Sequence, residues 1–314
     1  MRVYAPSYYK KFKCIADKCK NNCCIGWDVQ IDGDSLEEYR KAKGEFTKSI
    51  VENIYIEGNE AYFRMKDDGK CPFLNSCGLC DIISRFGEKS IPYICRMHPR
   101  FKNVFSGREE IGLGMCCEEA ARIMLTDDNA LEIVPLTDEE ETLTSYEEEL
   151  ILRRERIFRI LGDREEKILD KLHTLAEMYS LRYDDFSEVG SLEVFDELEY
   201  MSRELPDLIS EAGSDERTSF YIPLELEHPL SRLAEYFAFR LISPSADGAE
   251  ERVRIGAVLL YMSCILRIIC ARGLESEFSM GSLISLARLF SAEIEYSPDN
   301  TETLLSEVDI LINF

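Results

Sequence analysis

The chain has 314 residues, enough for one large or two ordinary domains whose packed core needs no disulfide or metal to stabilise it. Hydrophobic residues make up 45% of the chain and charged residues 31%, which excludes a wholly disordered protein and a collagen-like repeat. The net charge of −23 repels phosphate backbones and anionic lipids, so nucleic acids and membrane surfaces are excluded as favourable partners.

Short strands and helices are predicted in the first 125 residues. Residues 25–31 alternate loosely between apolar and polar side chains, which predicts a short strand. Ser35 and Glu38 have the spacing of a capping box and predict a helix over residues 35–51. Residues 53–65 resemble a β-hairpin, and residues 118–125 are predicted to form a short helix.

The chain after residue 125 is predicted to be helical. An acidic stretch over residues 138–149 is typical of a solvated loop followed by a helix start. Apolar residues three or four apart predict helices over residues 145–179, 229–242, 250–271, 280–292 and 301–312. The predicted fold is therefore mainly α. A cysteine-rich α+β module with short strands (residues 1–125, net charge +2) precedes an all-helical acidic region (residues 126–314, net charge −25).

Cysteine is concentrated in the predicted N-terminal module. Ten of the twelve cysteines precede residue 118, whereas Cys264 and Cys270 lie in an apolar helix and are expected to fill core space. The N-terminal residues contain no apolar stretch long enough for a signal-peptide core, so we expect a cytoplasmic protein. In a reducing compartment, a dense cysteine array favours thiolate ligation of metal over disulfides.

The cysteine spacing alone leaves the metal open. Tetrahedral thiolate sites suit both zinc and iron–sulfur clusters. His98 is the histidine nearest to the cysteines, and we expect it to pack beside Pro99 rather than to ligate. The Cys-x3-Cys-x2-Cys motif of radical S-adenosylmethionine enzymes is not matched, because Gly26 stands where the third sulfur would be.

Eight of these cysteines form two blocks along the chain. The earlier block is Cys14, Cys19, Cys23 and Cys24, followed by Gly26-Trp27, and the later block is Cys71 in Cys71-Pro72-Phe73-Leu74, Cys80, Cys95 and Cys117. The order and type of these motifs, which cover residues 14–122, resemble the flagellin lysine-N-methylase family and, more remotely, the CxxCxxCC group of zinc- or iron-chelating proteins.

The resemblance implies a cytoplasmic enzyme that transfers methyl groups from S-adenosylmethionine to lysine side chains of a protein substrate, flagellin. It also implies a cysteine-ligated iron–sulfur cluster of the four-iron, four-sulfur type. The eight matched cysteines are the expected metal ligands.

Methyl transfer would require anchors for the donor. Residues 112–114 form a lone Gly-x-Gly that we expect to be a turn, so a doubly wound nucleotide-binding domain is not predicted. Arg100, or else Arg96, is the expected anchor for the donor carboxylate, and a cluster iron without a protein ligand is an alternative anchor for the amino-acid end of the donor. Trp27 and Tyr93 are candidates to line a pocket for its adenine or sulfonium. A surface or structural ion pair for Arg100 and a core position for each aromatic residue stay open as alternatives. No catalytic base is assigned.

A second function remains open from the sequence. In this alternative, the cysteines form a non-catalytic zinc or iron site and the helical region binds another protein. An electron-transfer protein ranks last, because the helical region has no flavin or haem signature.

Overall fold

The computed structural model describes residues 1–214, 222–244, 248–273 and 278–313. It is mainly helical, with 57% of its residues in helices and only a few short strands, which confirms the predicted fold class. In chain order, the strands and helices are β1 (Arg2–Pro6), β2 (Gln30–Ile31), α1 (Gly33–Lys41), α2 (Glu45–Glu52), β3 (Ile54–Glu57), β4 (Glu60–Phe63), α3 (Asp81–Phe86), α4 (Tyr93–Met97), β5 (Arg100–Val104), β6 (Arg108–Leu113), α5 (Glu118–Leu125), β7 (Ile133–Pro135), α6 (Ser145–Leu161), α7 (Ile168–Met178), α8 (Asp184–Ser187), α9 (Glu204–Gly213), α10 (Leu224–Leu241), α11 (Gly248–Arg272), α12 (Met280–Phe290) and α13 (Pro298–Asn313).

The chain folds as two compact units. The larger unit contains Met1–Phe12 and Lys102–Phe314, and the small unit contains Lys13–Phe101. This division differs from the predicted one at residue 125, because β1 pairs with β6 and β7 and so brings both ends of the predicted N-terminal module into the larger unit. The small unit retains eight cysteines, whereas Cys116 and Cys117 lie in the larger unit.

A four-stranded sheet in the order β5-β6-β1-β7 belongs to the larger unit. Strand β1 runs parallel to β6, with Tyr4 opposite Glu110, and antiparallel to β7, with Tyr4 opposite Pro135. The region predicted to be all-helical therefore contributes β7, a strand of three residues that is too short to show an alternating pattern. Gly112 and Leu113 lie in β6 rather than in the predicted turn.

Most of the predicted helices are confirmed. The described residues contain α5, α10, α11, α12 and α13 where the apolar spacing predicted helices, and Pro229 lies inside α10 rather than at its start. Helix α11 is apolar and long enough to cross a membrane by length and composition. However, 89% of its most apolar part is buried inside the protein, as expected for a core helix.

The single helix predicted over residues 145–179 is wrong, because the chain forms α6 and α7 with a break after Gly162. The N–H of Gly162 donates to the Phe158 carbonyl at 2.8 Å and closes α6. The Glu227 carboxylate then accepts a hydrogen bond from the Ile168 N–H at 2.7 Å, which satisfies a donor at the start of α7. A distant side chain therefore sets where the second helix begins.

The small unit contains a three-stranded antiparallel sheet in the order β2-β4-β3. The predicted hairpin is present: Glu57 lies opposite Glu60, and Gly58 in the turn has a φ of +59°. The helix predicted over residues 35–51 is instead α1 followed by α2. Gly44 separates them with a φ of +132°, a conformation that side-chain-bearing residues rarely adopt.

Helix α6 begins at a carboxylate that accepts four hydrogen bonds. Thr144 and Glu147 form a capping box, in which the Glu147 carboxylate accepts from the Thr144 N–H at 2.8 Å. The other Glu147 oxygen accepts from the N–H and the hydroxyl of Ser106 at 2.7 and 3.0 Å. Burial alone would raise the pKa of Glu147, but these hydrogen bonds outweigh it and lower that pKa. The acidic stretch thus includes one buried carboxylate that joins α6 to the β5–β6 turn.

We expect Glu147→Gln to lower the free energy of unfolding at neutral pH by about 1–3 kcal/mol, because an amide group would face N–H donors that now bind a carboxylate. Since the folded-state pKa is depressed, the carboxylate stabilises the fold above its unfolded pKa of about 4.3 and this contribution is lost as the pH falls through the folded pKa. Urea unfolding at several pH values measures both effects. The control is Glu148→Gln, at the exposed neighbour. Equal stability of the two variants at neutral pH would contradict the prediction.

Candidate metal centre

The small unit brings five thiols together from four separate stretches of the chain. Cys71 is buried in the hydrophobic core of this unit, and Cys24, Cys80 and Cys95 pack against that core. Cys23 is exposed and hydrogen-bonds with the Cys24 thiol. We call these five residues the thiol group.

Backbone pairing places Cys23 and Cys24 beside Cys71. The N–H of Cys71 donates to the Cys24 carbonyl at 2.8 Å, and the N–H of Gly26 donates to the Gly69 carbonyl at 3.0 Å. Gly26 and Gly69 have φ values of +90° and +73°, so both turns depend on residues without a side chain. The strand predicted over residues 25–31 is consequently reduced to one isolated bridge and the short β2.

A tight loop returns the chain from Cys71 to Cys80. Within it, Asn75 Oδ1 accepts a hydrogen bond from the Leu79 N–H at 3.0 Å, and Gly78 turns the backbone with a φ of +76°. Cys80 then stands immediately before α3 as its N-cap residue. The loop therefore explains why these two cysteines, nine positions apart, approach one another.

Cys95 enters the thiol group on α4, whose start is fixed by Asp32. Asp32 Oδ2 accepts from the Tyr93 N–H at 2.6 Å, and Oδ1 accepts from the Ser35 N–H at 3.0 Å, so Asp32 rather than Ser35 caps α1. Burial opposes ionisation of Asp32, but these hydrogen bonds outweigh it and lower its pKa. One carboxylate thus fixes the N-termini of both α1 and α4.

The thiols of the group influence one another electrostatically. The hydrogen bond from the Cys24 thiol lowers the pKa of Cys23 to about 7 and raises that of Cys24. Burial, with the negative charge of neighbouring thiolates added, raises the pKa of Cys71 to about 11 and that of Cys95 to about 12, and burial also raises the pKa of Cys80. Four of the five sulfurs therefore resist ionisation unless a cation is close to them.

The chemistry of this donor set fits a thiolate metal centre. Four or more sulfurs beside an apolar core suit tetrahedral zinc or an iron–sulfur cluster. In the part of the chain that the structure describes, no three Cys, His, Asp or Glu side chains are already positioned around a point where they could hold a metal ion. Coordination therefore requires the cysteine side chains to rotate toward a shared centre.

Three further cysteines of the small unit lie at or near its surface. Cys14 and Cys77 are exposed. Cys19 is half-buried, and its thiol donates to the Asn21 carbonyl at 3.2 Å. Cys14 and Cys19 stay predicted ligands. Unlike Cys71, Cys80 and Cys95, they are not among the residues in or against the hydrophobic core of the small unit.

Cys116 and Cys117 are described with the larger unit. Cys117 is the N-cap residue of α5. The Cys116 thiol hydrogen-bonds with Tyr296, and burial raises the pKa of Cys116 to about 12. Gly114 lies so close to Tyr296 that a Cβ atom there would overlap the phenol oxygen. Cys117 also stays a predicted ligand.

Trp27 and His98 pack together next to the thiol group. The indole N–H of Trp27 donates to the Cys23 carbonyl, and the Trp27 ring stacks on His98 with 6.1 Å between ring centroids. Burial, assisted by the positive charge of Arg100, lowers the pKa of His98 to about 4, so the imidazole is neutral at physiological pH. His98 thus stacks on Trp27, and its not serving as a metal ligand stays a prediction.

The other predicted donor-binding residues flank Cys95 in the chain. Tyr93 is 48% exposed, and the guanidinium of Arg96 lies 6.0 Å from its ring centroid. Arg96 Nη1 donates to the Lys89 carbonyl at 3.0 Å, and Arg100 Nη1 donates to the Arg96 carbonyl at 3.3 Å. Both arginines thus make local backbone contacts, and their role toward a donor stays a prediction.

Two asparagines hold the cysteine loops, and sequence reasoning missed them. Asn22 Oδ1 accepts from the Cys24 N–H at 2.9 Å, while Asn22 Nδ2 donates to the Gly78 carbonyl at 3.1 Å and so ties the two loops together. Asn75 Nδ2 donates to Asp81 at 2.9 Å. The available signal was an asparagine two residues before a cysteine in each loop, because asparagine side chains bond the backbone two residues further on.

Comparison with known proteins confirms the resemblance. The chain is 24% identical over 149 residues to the lysine-N-methylase of Salmonella typhimurium, an alignment that covers 46% of this chain and 37% of that protein. The lysine-N-methylase of Salmonella choleraesuis gives the same values. The flagellar biosynthetic protein FliU of Salmonella muenchen is 24% identical over 135 residues, 41% of this chain and 80% of that protein.

The match to the two lysine-N-methylases is partial. The chain spans little more than a third of the length of these curated relatives. No protein-family model matches the chain. No solved structure matches it either.

We expect Cys23 to be the most rapidly alkylated cysteine of the metal-free protein near neutral pH, because it is exposed and its thiolate is stabilised by Cys24. Timed iodoacetamide labelling followed by peptide mass spectrometry gives the rate at each site. Cys77 is the control, since it is also exposed but lies outside the thiol group. A faster reaction at Cys77 than at Cys23 would contradict the prediction, and fully buried Cys264 is expected to react last.

Proposed function

We propose that this protein is a protein-lysine N-methyltransferase that uses S-adenosylmethionine and holds a metal centre with its thiol group. The observation that carries the proposal is the assembly of Cys23, Cys24, Cys71, Cys80 and Cys95 in the small unit, within a chain similar to lysine-N-methylases. Flagellin is the proposed substrate, since one relative is named a flagellar biosynthetic protein.

The thiol group would hold either a four-iron, four-sulfur cluster or zinc. Such a centre supplies thiolate–metal bonds that tie four chain segments together and, where one iron lacks a protein ligand, a position for the amino-acid end of the donor. Cys71, Cys80 and Cys95 are the principal ligands, and either Cys23 or Cys24 completes a set of four. The exposed Cys23 lies where a ligand can exchange with solvent most readily.

The reaction requires a neutral lysine amine. Its nitrogen attacks the methyl carbon of the sulfonium, a C–N bond forms as the C–S bond breaks, and the donor leaves as a neutral thioether while the amine loses a proton to water or a nearby base. Arg100 and Arg96 are proposed to bind the donor carboxylate. Trp27 and Tyr93 are proposed to face its adenine or its positively charged sulfur.

The cytoplasm is the proposed location of this activity. Thiols that coordinate metal remain reduced there, and a protein substrate made in the cytoplasm is accessible before its export. Burial of the apolar helix α11 within the larger unit is compatible with this location.

A second candidate function is a non-catalytic metal-binding module. The packing of the thiol group against a hydrophobic core favours it, because structural zinc sites stabilise small domains in this way. Zinc would leave the protein colourless, whereas an iron–sulfur cluster gives a broad brown absorption near roughly 400 nm. An absorption spectrum of anaerobically purified protein therefore separates the two metals.

Removing a core thiol is expected to remove the metal. We expect Cys71→Ser to lose most of the bound iron or zinc, because Cys71 is the buried sulfur around which the others lie. Metal content per chain, measured by mass spectrometry after anaerobic purification, gives the result. Cys77→Ser is the matched control and should retain the wild-type metal content. The proposed ligand set is refuted if both variants keep their metal.

Transfer itself is tested with isotopically labelled S-adenosylmethionine. We expect anaerobically purified, metal-loaded protein to label flagellin on lysine, and Arg100→Ala to raise the apparent KM for the donor more than it lowers kcat, because it removes a ground-state contact. Lysine-specific label is read by peptide mass spectrometry. Absence of any transfer by metal-loaded protein would remove the enzymatic proposal and leave the binding module.

A further inference from the structure

A cavity of about 370 Å³ lies in the larger unit, around the segment that leads into α9. Its apolar lining includes Phe195, Leu198, Tyr200 and Ile209, and among the described residues its lining comes from residues 195–209. A volume of this size accepts a small molecule or one long side chain. The cavity is separate in sequence from every cysteine of the chain.

Two buried polar residues hold the rim of this cavity in place. The Glu293 carboxylate accepts hydrogen bonds from the Met201 N–H at 2.8 Å and from the Ser202 hydroxyl at 3.0 Å. Asn300 accepts from the Glu199 N–H at 3.0 Å and donates to the Glu199 carbonyl at 2.6 Å. Glu293 is 3% exposed and Asn300 is 2% exposed, so the rim rests on contacts that water does not reach. The cavity is therefore preorganised.

The surroundings of the cavity are strongly acidic. Residues 188–211 carry eight carboxylates and a single basic residue, Arg203. Asp196 and Arg203 both line the cavity. Burial raises the pKa of the Tyr200 phenol, and the negative charges of Cys264, Asp196 and Glu293 raise it further. A cation entering this cavity is attracted both by its rim and by the wider surface.

We propose that this cavity is a docking site for a lysine side chain of the protein substrate. The apolar lining suits the methylene stem of lysine, the half-buried ring of Tyr200 suits its ammonium group, and the exposed Asp196 provides an opposite charge. The identification of the occupant as a substrate lysine rests on the proposed function. The description of the cavity, its rim and the charges around it does not depend on the proposed function.

Binding is tested without methyl transfer, by fluorescence anisotropy of the full chain with a labelled peptide of alternating lysine and serine. A second peptide with norleucine in place of lysine keeps the methylene groups and removes the charge. We expect the lysine peptide to bind and the norleucine peptide to bind more weakly. Asp196→Asn should weaken binding by up to about fivefold, and Arg203→Ala should strengthen it by a similar factor, since the first removes an attraction and the second a repulsion at an exposed site.

Matched controls separate the cavity from the general acidity of the surface. Asp170→Asn removes one exposed carboxylate from α7 and should leave binding unchanged within about twofold. Met201→Trp fills the cavity mouth without a change of charge and should abolish binding, whereas Leu152→Trp places the same ring at an equally exposed site. Met201 and Leu152 are 63% and 62% exposed, so both variants should fold. Thermal unfolding verifies that they do.

Four results would overturn the inference. Equal effects of Asp196→Asn and Asp170→Asn would assign binding to diffuse charge. Full binding by Met201→Trp would place the peptide elsewhere. Loss of S-adenosylmethionine affinity in Met201→Trp, measured by calorimetry, would make the cavity a donor site. If flagellin is methylated equally by Met201→Trp and by the wild type, the inference fails while the proposed function stands. If the lysine peptide binds in the cavity and no methylation occurs, the proposed function fails alone.

Discussion

The hydrogen bond from the Cys71 N–H to the Cys24 carbonyl is the interaction on which the small unit depends. It pairs the backbone of residues 23–26 with that of residues 69–71, and a second backbone hydrogen bond, between Gly26 and Gly69, supports this pairing. Because both glycines adopt positive φ, a side chain at either position would strain the turn that presents the thiols. The backbone geometry therefore sets the chain path that carries Cys23, Cys24 and Cys71, and the proposed metal would bind to segments that are already paired.

The core beside these thiols determines how they respond to a cation. Phe63 and Phe73 pack edge to face with 4.9 Å between ring centroids, and Cys71 lies in the same cluster. An apolar environment of this kind disfavours isolated thiolates, which is why Cys71 and Cys95 hold their protons. The same environment strengthens the attraction between thiolates and a metal ion once the protons have left. Binding of a metal at the proposed centre would therefore be coupled to proton release, and alkaline conditions would favour it.

Local sequence patterns predicted local structure well and long-range pairing poorly. The turn at Gly58 and the short helix after Cys117 follow from neighbouring residues, and both are present. The start of α7 depends on Glu227, about sixty residues away, and no pattern around Ile168 indicated it. The unit boundary was missed for the same reason, since β1 pairs with β6 across about a hundred residues.

The same distinction applies to the candidate sites. Close cysteine spacing identified the segments that bear the thiol group, because a turn directs nearby sulfurs to one place. It did not indicate that Asp32 would fix α4, or that Asn22 would tie two loops together, because these contacts link distant backbone groups. The cavity near Tyr200 gave no signal, since most of its described lining residues precede α9, in a segment without α-helical or strand periodicity.

Net charge, like cysteine, is distributed unevenly between the two units. The small unit has 14 basic and 14 acidic residues, so the whole net charge of −23 lies in the larger unit. Its buried carboxylates have partners of two kinds: Glu110 bonds both Arg154 and Arg108, at 2.5 and 2.7 Å, whereas Glu147 and Glu293 accept hydrogen bonds from N–H and O–H groups. The exposed carboxylates of this unit attract cations over about one Debye length, near 8 Å at physiological salt. The thiol group thus lies in a neutral unit, whereas the attraction of cations belongs to the acidic unit. A change of ionic strength should therefore affect the attraction of cations far more than the reactivity of the thiols.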